Sequence, residues 1–233
     1  MRKEFRIGEL CKKKGLTLKQ LAEGINIHPV SFTQALSDKG NPTFETLSKI
    51  AFFLQVDLSE LFRPLHINNI IFDFDLTLIN RSISDQYRKQ RNWKKVFELI
   101  PQFTLYDGLN EVFSYIRDNN IQVTIVSFAK PDLIEATAKH FKIPYNFIIA
   151  GSQIENQKPH PESFYNALEL MNCQPNEVIS FGDSIKDYEA AKASNIKHVA
   201  CLWDSKEEVT LKQLGCELFI SSPSEIIDIL LGK

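Results

Sequence analysis

The stretch NIIFDFDLT, residues 69–77, joins an uninterrupted apolar run to two aspartates that stand directly behind it. Such a run is typical of a strand covered on both faces of a parallel sheet. Comparable runs recur at residues 121–127, 146–150, 178–181 and 198–202. Amphipathic helical stretches lie between them, at residues 109–119, 133–141, 162–171 and 187–194. Strands that alternate with helices predict an α/β fold with a doubly wound parallel sheet.

Polar residues stand where these predicted strands end. Parallel strands bring their carboxyl ends to one edge of the sheet, and ligands bind there. The residues in question are Asp73 and Asp75 after the first run, Ser127 at the end of the second, Lys158 after the third, and Asp183 and Asp187 after the fourth. Carboxylates gathered without a cation would repel one another, and oxygen-only ligands suit Mg²⁺. We therefore expect a Mg²⁺ site at this edge.

The ordered set DFDLT, Ser127, KPHP and GDSIKD resembles the motifs of the haloacid dehalogenase (HAD) superfamily, over about residues 67–232. The resemblance implies that Asp73 is the nucleophile and forms an aspartyl-phosphate, a role open to carboxylates. It implies that Asp75 is the general acid that then activates water. Members with this second acid are phosphatases and phosphomutases, so a phosphoric monoester hydrolase is expected.

The resemblance also assigns the remaining site residues. Ser127 and Lys158 would bind the phosphoryl group next to Phe128, and Thr77 would fix the nucleophile loop. Asp73, Asp183 and the backbone carbonyl of Asp75 would hold Mg²⁺, whose waters Asp187 would order. The chain departs from the family pattern at Leu76, where glycine is common, and at Phe128, where a small or polar residue is common.

The first part of the chain reads as helices only. Thr17 and Gln20 form a capping-box pattern at the start of a second helix, and Pro29 suits the first position of a third. A fourth helix is expected to bury Phe44, Leu47, Ile50, Ala51 and Leu54, with Val56, Leu58, Leu61 and Phe62 closing the core. The lengths of the second and third helices are those of a helix-turn-helix.

Residues 16–54, LTLKQLAEGINIHPVSFTQALSDKGNPTFETLSKIAFFL, resemble the phage-repressor (Cro/C1, or XRE) helix-turn-helix family. The resemblance implies dimeric, sequence-specific DNA binding through the third helix. The candidate DNA contacts are His28, Ser31, Thr33 and Gln34 for bases and Lys39 for phosphate. These candidates include no arginine for bidentate reading of guanine, the commonest specific contact. A helical bundle kept for dimerisation is the alternative.

These resemblances predict residues 1–64 as a helix-turn-helix domain and residues 67–233 as a HAD-like hydrolase domain. A reduced helical cap is expected at about residues 79–105, where SISD, residues 82–85, has a capping-box pattern. Residues 88–95 contain five basic residues, which either bind a second anionic group of the substrate or form the solvated face of a helix. Trp93, Val96 and Phe97 would pack beneath that helix. A small cap leaves the site open to bulky substrates.

Composition restricts the class of protein. The chain has 233 residues, of which 43% are hydrophobic and 24% charged, which is typical of packed cores and excludes a disordered chain. No apolar run suits a membrane helix, and the N-terminus lacks the pattern of a secretory signal. Four widely separated cysteines predict reduced thiols, so we expect a cytoplasmic protein.

Charge and linker length bear on partners. Residues 1–66 carry a formal balance of +3 and residues 67–233 one of −5, which fits a nucleic-acid module joined to an acidic body. Only residues 63–68 separate the two parts, so we expect the two domains of one chain to pack closely. The repressor resemblance implies in addition that the protein is a homodimer. The leading hypothesis is a Mg²⁺-dependent phosphatase fused to a DNA-binding head. The alternative is a transcription regulator whose HAD domain senses a phosphorylated ligand.

Overall fold

A computed structural model of the protein describes residues 5–37, 40–62 and 67–232. The chain divides into two units, Met1–His66 and Ile67–Lys233. Lys39, the candidate phosphate contact, and residues 63–66 of the predicted linker lie outside the described residues.

The first unit is helical, as its sequence predicts. Its elements are α1 (Ile7–Lys13), α2 (Leu18–Gly24), α3 (Pro29–Ala35) and α4 (Phe44–Leu54), followed by a 3₁₀ turn at Leu58–Leu61. The capping box is confirmed, because Thr17 Oγ1 accepts the amide of Gln20 at 3.1 Å while Gln20 Oε1 accepts the amide of Thr17 at 2.8 Å. Pro29 is the first residue of α3, where its missing N–H costs nothing.

The core of this unit differs from the prediction at two phenylalanines. Phe44 is 74% exposed, because it is the first residue of α4 and the buried residues Ile50 and Leu54 lie one and a half turns or more along the helix. Phe62 is 37% exposed and covers the buried Phe5, with ring centroids 5.3 Å apart. The sequence pattern missed Phe5 because it precedes the first helix.

The second unit contains a six-stranded, all-parallel sheet in the order β5-β4-β1-β6-β7-β8. The strands are β1 (Asn69–Phe72), β4 (Gln122–Ser127), β5 (Phe147–Ala150), β6 (Val178–Gly182), β7 (Lys197–Cys201) and β8 (Phe219–Ile220). The predicted parallel sheet is confirmed. β8 was missed because two residues give no periodicity to detect.

Helices cover both faces of this sheet. They are α7 (Leu109–Asp118), α8 (Pro131–Phe141), α9 (Glu162–Met171), α10 (Ile185–Ala193), α11 (Glu208–Gln213) and α12 (Glu225–Leu230). Ile70 and Phe72 of β1 join a core with α7, α8 and α12, whereas Ile71 joins a core with α9 and α10. The doubly wound layering therefore follows from alternation along the central strand. Among the described residues, no helix is long and apolar enough to cross a membrane.

The insert after β1 is short and mainly helical. A two-stranded antiparallel pair, β2 (Ile79–Asn80) and β3 (Thr104–Leu105), brackets α5 (Asp85–Lys89) and α6 (Trp93–Glu98). Val96 is fully buried, and Trp93 and Phe97 pack against the core. The capping box expected at residues 82–85 does not form, because Ser82 Oγ donates to Asn80 Oδ1 at 2.6 Å and Asp85 pairs with Arg88.

Candidate active site

Asp73 stands at the carboxyl end of the central strand. Its amide donates to Phe181 O at 2.9 Å, which continues the pairing of β1 with β6, and its side chain is buried. Ser127 ends β4 and Asp183 follows β6, the two strands that flank β1. The chain continues from β1 to β4 and β5 on one side and later adds β6, β7 and β8 on the other side. A ligand crevice forms at the strand where the order reverses in this way.

Lys158 is the buried cation of the site. Its ammonium donates to Asp73 Oδ1 at 2.6 Å, to Asp187 Oδ1 at 2.6 Å and to Val126 O at 2.9 Å, so all three of its hydrogens have partners. Burial alone would lower the pKa of Lys158, but the charges of Asp187 and Asp73 outweigh it and raise that pKa. Lys158 is therefore a fixed positive charge beside Asp73.

Asp187 is held in place at the start of α10. Its Oδ2 accepts Ser184 Oγ at 2.6 Å and its Oδ1 accepts Lys158, so both oxygens are engaged. Burial would raise the pKa of Asp187, but Lys158 and the hydrogen bonds from Lys158 and Ser184 lower it. Gly182 is required here, since a Cβ at that position would lie 2.7 Å from the carboxyl carbon of Asp187.

Asp73, Asp183 and Asp187 form a carboxylate cluster. One ligand oxygen from each lies within 4.8 Å of the others. Burial raises the pKa of Asp73 well above its ordinary value, although Lys158 lowers it, and burial followed by the charge of Asp187 raises the pKa of Asp183 to about 7. The Lys158 ammonium supplies one positive charge to these carboxylates, and the remaining negative charge and oxygen-only donors fit a divalent cation such as Mg²⁺.

The loop after Asp73 carries the second acid. Arg81 contacts both carboxylate oxygens of Asp75 through Nε and Nη2. Leu76, at the position where glycine was expected, has φ of 60° and its amide donates to Ile79 O at 2.9 Å. Thr77 is fully buried and its hydroxyl lies 3.4 Å from Asp183 Oδ1, so it connects this loop to β6.

Ser127 and Phe128 form the side of the site at the end of β4. The Ser127 hydroxyl is buried and accepts the amide of Ala129 at 3.1 Å, which leaves its proton free to donate. Phe128 is 45% exposed, and the ammonium groups of Lys158 and Lys186 lie 5.3 Å and 5.2 Å from its ring centre. An exposed aromatic ring thus lies beside the proposed phosphoryl-binding residues.

The four described DNA-contact candidates are exposed on and around α3. They are His28, Ser31, Thr33 and Gln34. The Thr33 hydroxyl donates to Pro29 O at 2.9 Å, so its proton is engaged within the helix. Val30, exposed at the same surface, was not singled out from the sequence.

The sequence pattern does not predict two polar residues that lie beside the site. Arg81 was missed because only a folded loop brings it to Asp75. His198, buried on β7, receives or donates a hydrogen bond at 2.9 Å between Nδ1 and Ser180 Oγ, and burial lowers its pKa to about 4. No spacing rule in the sequence distinguishes His198 from other apolar-flanked strand residues.

A parallel α/β sheet with an aspartate at the end of its central strand, a buried lysine and an acidic cluster defines a class of hydrolase. The chain belongs to the haloacid dehalogenase-like hydrolase family, whose profile matches residues 82–201. A helix-turn-helix profile matches residues 7–61, so the chain also carries a helix-turn-helix domain.

Known relatives and solved structures match about seven-tenths of the chain. The chain is 23% identical over 215 residues to the pyrophosphatase PpaX of Bacillus cereus (strain B4264), covering 71% of this chain and 97% of that protein. A HAD-superfamily hydrolase from Ehrlichia chaffeensis shares the fold at a TM-score of 0.54 and 21% identity, over 72% of this chain and 97% of that one. CbbY from Rhodobacter sphaeroides shares the fold at a TM-score of 0.59 and 15% identity, over 69% of this chain and 96% of that one.

Proposed function

We propose that this protein is a Mg²⁺-dependent phosphatase that hydrolyses a phosphate monoester through an aspartyl-phosphate intermediate. The observation that carries the proposal is the contact between Asp73 and the Lys158 ammonium, 2.6 Å apart in a buried site at the end of the central strand. A nucleophile beside a fixed cation suits phosphoryl transfer, in which positioning and charge neutralisation supply most of the catalysis.

The carboxylate cluster supports the metal residues that the family resemblance implies. One oxygen each of Asp73 and Asp183 lies within 4.8 Å of the other, so these two carboxylates and the Asp75 backbone carbonyl would hold Mg²⁺. Both oxygens of Asp187 are engaged, which fits a residue that orders the metal's waters. When bound, Mg²⁺ would neutralise phosphoryl oxygens and bring the phosphate to Asp73.

The first half-reaction would transfer the phosphoryl group to the protein. An oxygen of Asp73 attacks phosphorus, and the bond from phosphorus to the leaving oxygen breaks while Asp75 gives that oxygen a proton. Lys158 and Ser127 would hold the phosphoryl oxygens, with Phe128 contacting the rest of the substrate. Thr77 would keep the nucleophile loop in place through Asp183.

The second half-reaction would restore the protein. Asp75, now a carboxylate, takes a proton from water, whose oxygen attacks phosphorus and displaces the Asp73 carboxylate as phosphate leaves. One residue thus serves as acid and then as base. The side chain of Asp75 is 33% exposed, which supports a residue that exchanges protons with a leaving group and with water.

Hydrolysis of p-nitrophenyl phosphate with Mg²⁺ tests the proposal. Asp73→Asn keeps the shape but removes the nucleophile, so turnover should disappear, and Asp75→Asn should reduce it about 10²–10⁴-fold. Asp118→Asn, the same change at an exposed carboxylate of α7, is the matched control. Turnover of Asp73→Asn at the wild-type rate would contradict the covalent mechanism. Full activity of the wild-type protein in EDTA would contradict the requirement for a metal.

We also propose that residues 1–64 form a DNA-binding, dimerising domain and residues 67–233 a hydrolase domain with a reduced cap at 79–105. The exposed polar side chains of His28, Ser31 and Gln34 on or next to α3 support DNA binding. Four free cysteines support a reducing, cytoplasmic location. The test is a shift assay across salt concentrations, in which counterion release predicts a steep loss of affinity.

A further inference from the structure

Arg81 forms a bidentate ion pair with the carboxylate of Asp75. Nε contacts Oδ1 and Nη2 contacts Oδ2, the fork-to-fork geometry that fixes both the position and the plane of a carboxylate. Among the described residues, the Asp75 carboxylate has no other hydrogen-bond donor. Its orientation in the site therefore depends on one side chain.

The two partners are anchored unequally. Arg81 is 4% exposed, whereas the Asp75 side chain is 33% exposed. The backbone carbonyl of Arg81 accepts the amide of Ser84 at 2.9 Å and the hydroxyl of the buried Ser84 at 2.7 Å. Arg81 is thus the buried and anchored partner of the pair, and Asp75 is the partner that remains accessible to solvent.

Stability alone gives little reason for this arrangement. Burying a guanidinium carries a desolvation cost that a single ion pair roughly offsets, so such pairs add little to stability compared with apolar residues of similar size. What the pair does provide is geometric order, because a bidentate contact restricts the rotation of the Asp75 side chain.

We propose that Arg81 is a positioning residue that orients Asp75 toward the leaving oxygen of the substrate. The inference rests on the proposed function, in which Asp75 transfers a proton. When one oxygen of Asp75 carries the proton, Arg81 still contacts the other oxygen and restrains the side chain. A proton donor acts only from within hydrogen-bond reach of the leaving oxygen, so an unrestrained acid loses part of its effect. In this role Arg81 would act through its contact with Asp75.

The inference predicts a dependence on the leaving group. An alkoxide leaves poorly without a proton, whereas p-nitrophenolate leaves well without one. In Arg81→Met, which keeps much of the apolar stem, kcat/KM for glycerol 2-phosphate should fall about 10²-fold, and kcat/KM for p-nitrophenyl phosphate less than about tenfold. Arg81→Lys, which keeps the charge without the fork, should fall between wild type and Arg81→Met.

A double-mutant cycle separates positioning from structure. In an Asp75→Asn background, Arg81→Met should leave the ratio of the two kcat/KM values unchanged, because the residue through which it acts is gone. Arg117→Met, which removes an exposed arginine of α7 outside the site, should leave the ratio at the wild-type value. Circular dichroism and thermal melting identify variants that fail to fold. If Arg81→Met fails to fold, Arg81→Lys takes its place in the comparison.

The outcomes distinguish this inference from the proposed function. Wild-type protein that hydrolyses neither ester with Mg²⁺ overturns both. Wild-type protein that hydrolyses both, combined with equal losses for the two esters or none in the folded Arg81 variants, overturns the role of Arg81 alone. Hydrolysis of the aryl ester only by wild-type protein also overturns it, since an oriented acid makes the alkyl ester a substrate.

Discussion

The two units of the chain differ in whether charged side chains are buried. In residues 5–37 and 40–62, every buried side chain is apolar, and the polar residues of α3 face outward. In residues 67–232, four charged residues are buried, namely Asp73, Arg81, Lys158 and Asp187. Outward polar groups suit recognition of a partner surface, whereas buried charges suit chemistry on a small ligand.

This difference determines how much a single substitution should matter. A polar side chain on the surface of the helical unit already contacts water, so its loss changes stability little. Buried charges in the hydrolase unit compensate one another, so the loss of one leaves its partners unpaired. Four substitutions test this contrast, from the largest expected effect on stability to the smallest.

Lys158→Met should have the largest effect. It leaves Asp73 and Asp187 buried without their shared cation, and we expect the hydrolase unit to lose about 3–5 kcal/mol in its free energy of unfolding. The measurement is urea unfolding in EDTA. The control is Lys186→Met, an exposed lysine nearby, which should cost less than about 0.5 kcal/mol. Equal costs for the two lysines would contradict the contrast.

His198→Asn should change how stability depends on pH. Burial lowers the pKa of His198 to about 4, with Asp187 opposing and Lys158 adding to the shift. Between pH 6.5 and 4 the unfolded chain therefore binds a proton that the folded chain does not, and wild-type stability falls as the pH falls. The variant should lack about 3 kcal/mol of this loss, measured as the difference between the two curves of unfolding free energy against pH. Parallel curves would contradict a neutral, buried His198.

Thr17→Ala should have a moderate effect on the helical unit. It removes the acceptor for the amide of Gln20 at the start of α2, and we expect a loss of about 1 kcal/mol in the free energy of unfolding of that unit. Thr17→Ser keeps a capping hydroxyl and should retain most of the stability. If serine were no better than alanine, the cap would not be the cause.

Gln34→Ala should have the smallest effect on stability, within about 0.5 kcal/mol, because the side chain is exposed. Its effect should instead fall on DNA, where we expect the preference for a specific site over random DNA to drop by about 1–3 kcal/mol. A competition shift assay with both DNAs measures it. If wild-type protein has no preference, the helical unit serves dimerisation instead.

Strand ends were the part of the site most readily predicted. Asp73 and Asp183 each follow an apolar run, and the sheet brings those runs side by side, so their proximity follows from topology alone. Arg81 and His198 obey no such rule. Arg81 reaches Asp75 through the turn at Leu76, and His198 is a polar residue in a strand whose other inward residues are apolar.

The fold was predictable where periodicity is long and failed where an element is short. The five long apolar runs appear as strands, whereas β2, β3 and β8 have two residues each and leave no pattern. Phe44 was misplaced because its apolar character alone does not reveal that it begins a helix. The pattern at residues 82–85 failed because Asn80 and Arg88 compete for the same side chains.

The missing side chain at Gly182 has a consequence for the mutational tolerance of the chain. In a library that carries every amino acid at each site position, reacting residues such as Asp75 accept conservative replacements that preserve the fold. Position 182 accepts none without displacement, since even the methyl of alanine would meet the carboxyl group of Asp187 at 2.7 Å. In a selection for folded protein alone, position 182 should therefore tolerate fewer residues than the reacting positions, although it takes no part in the reaction.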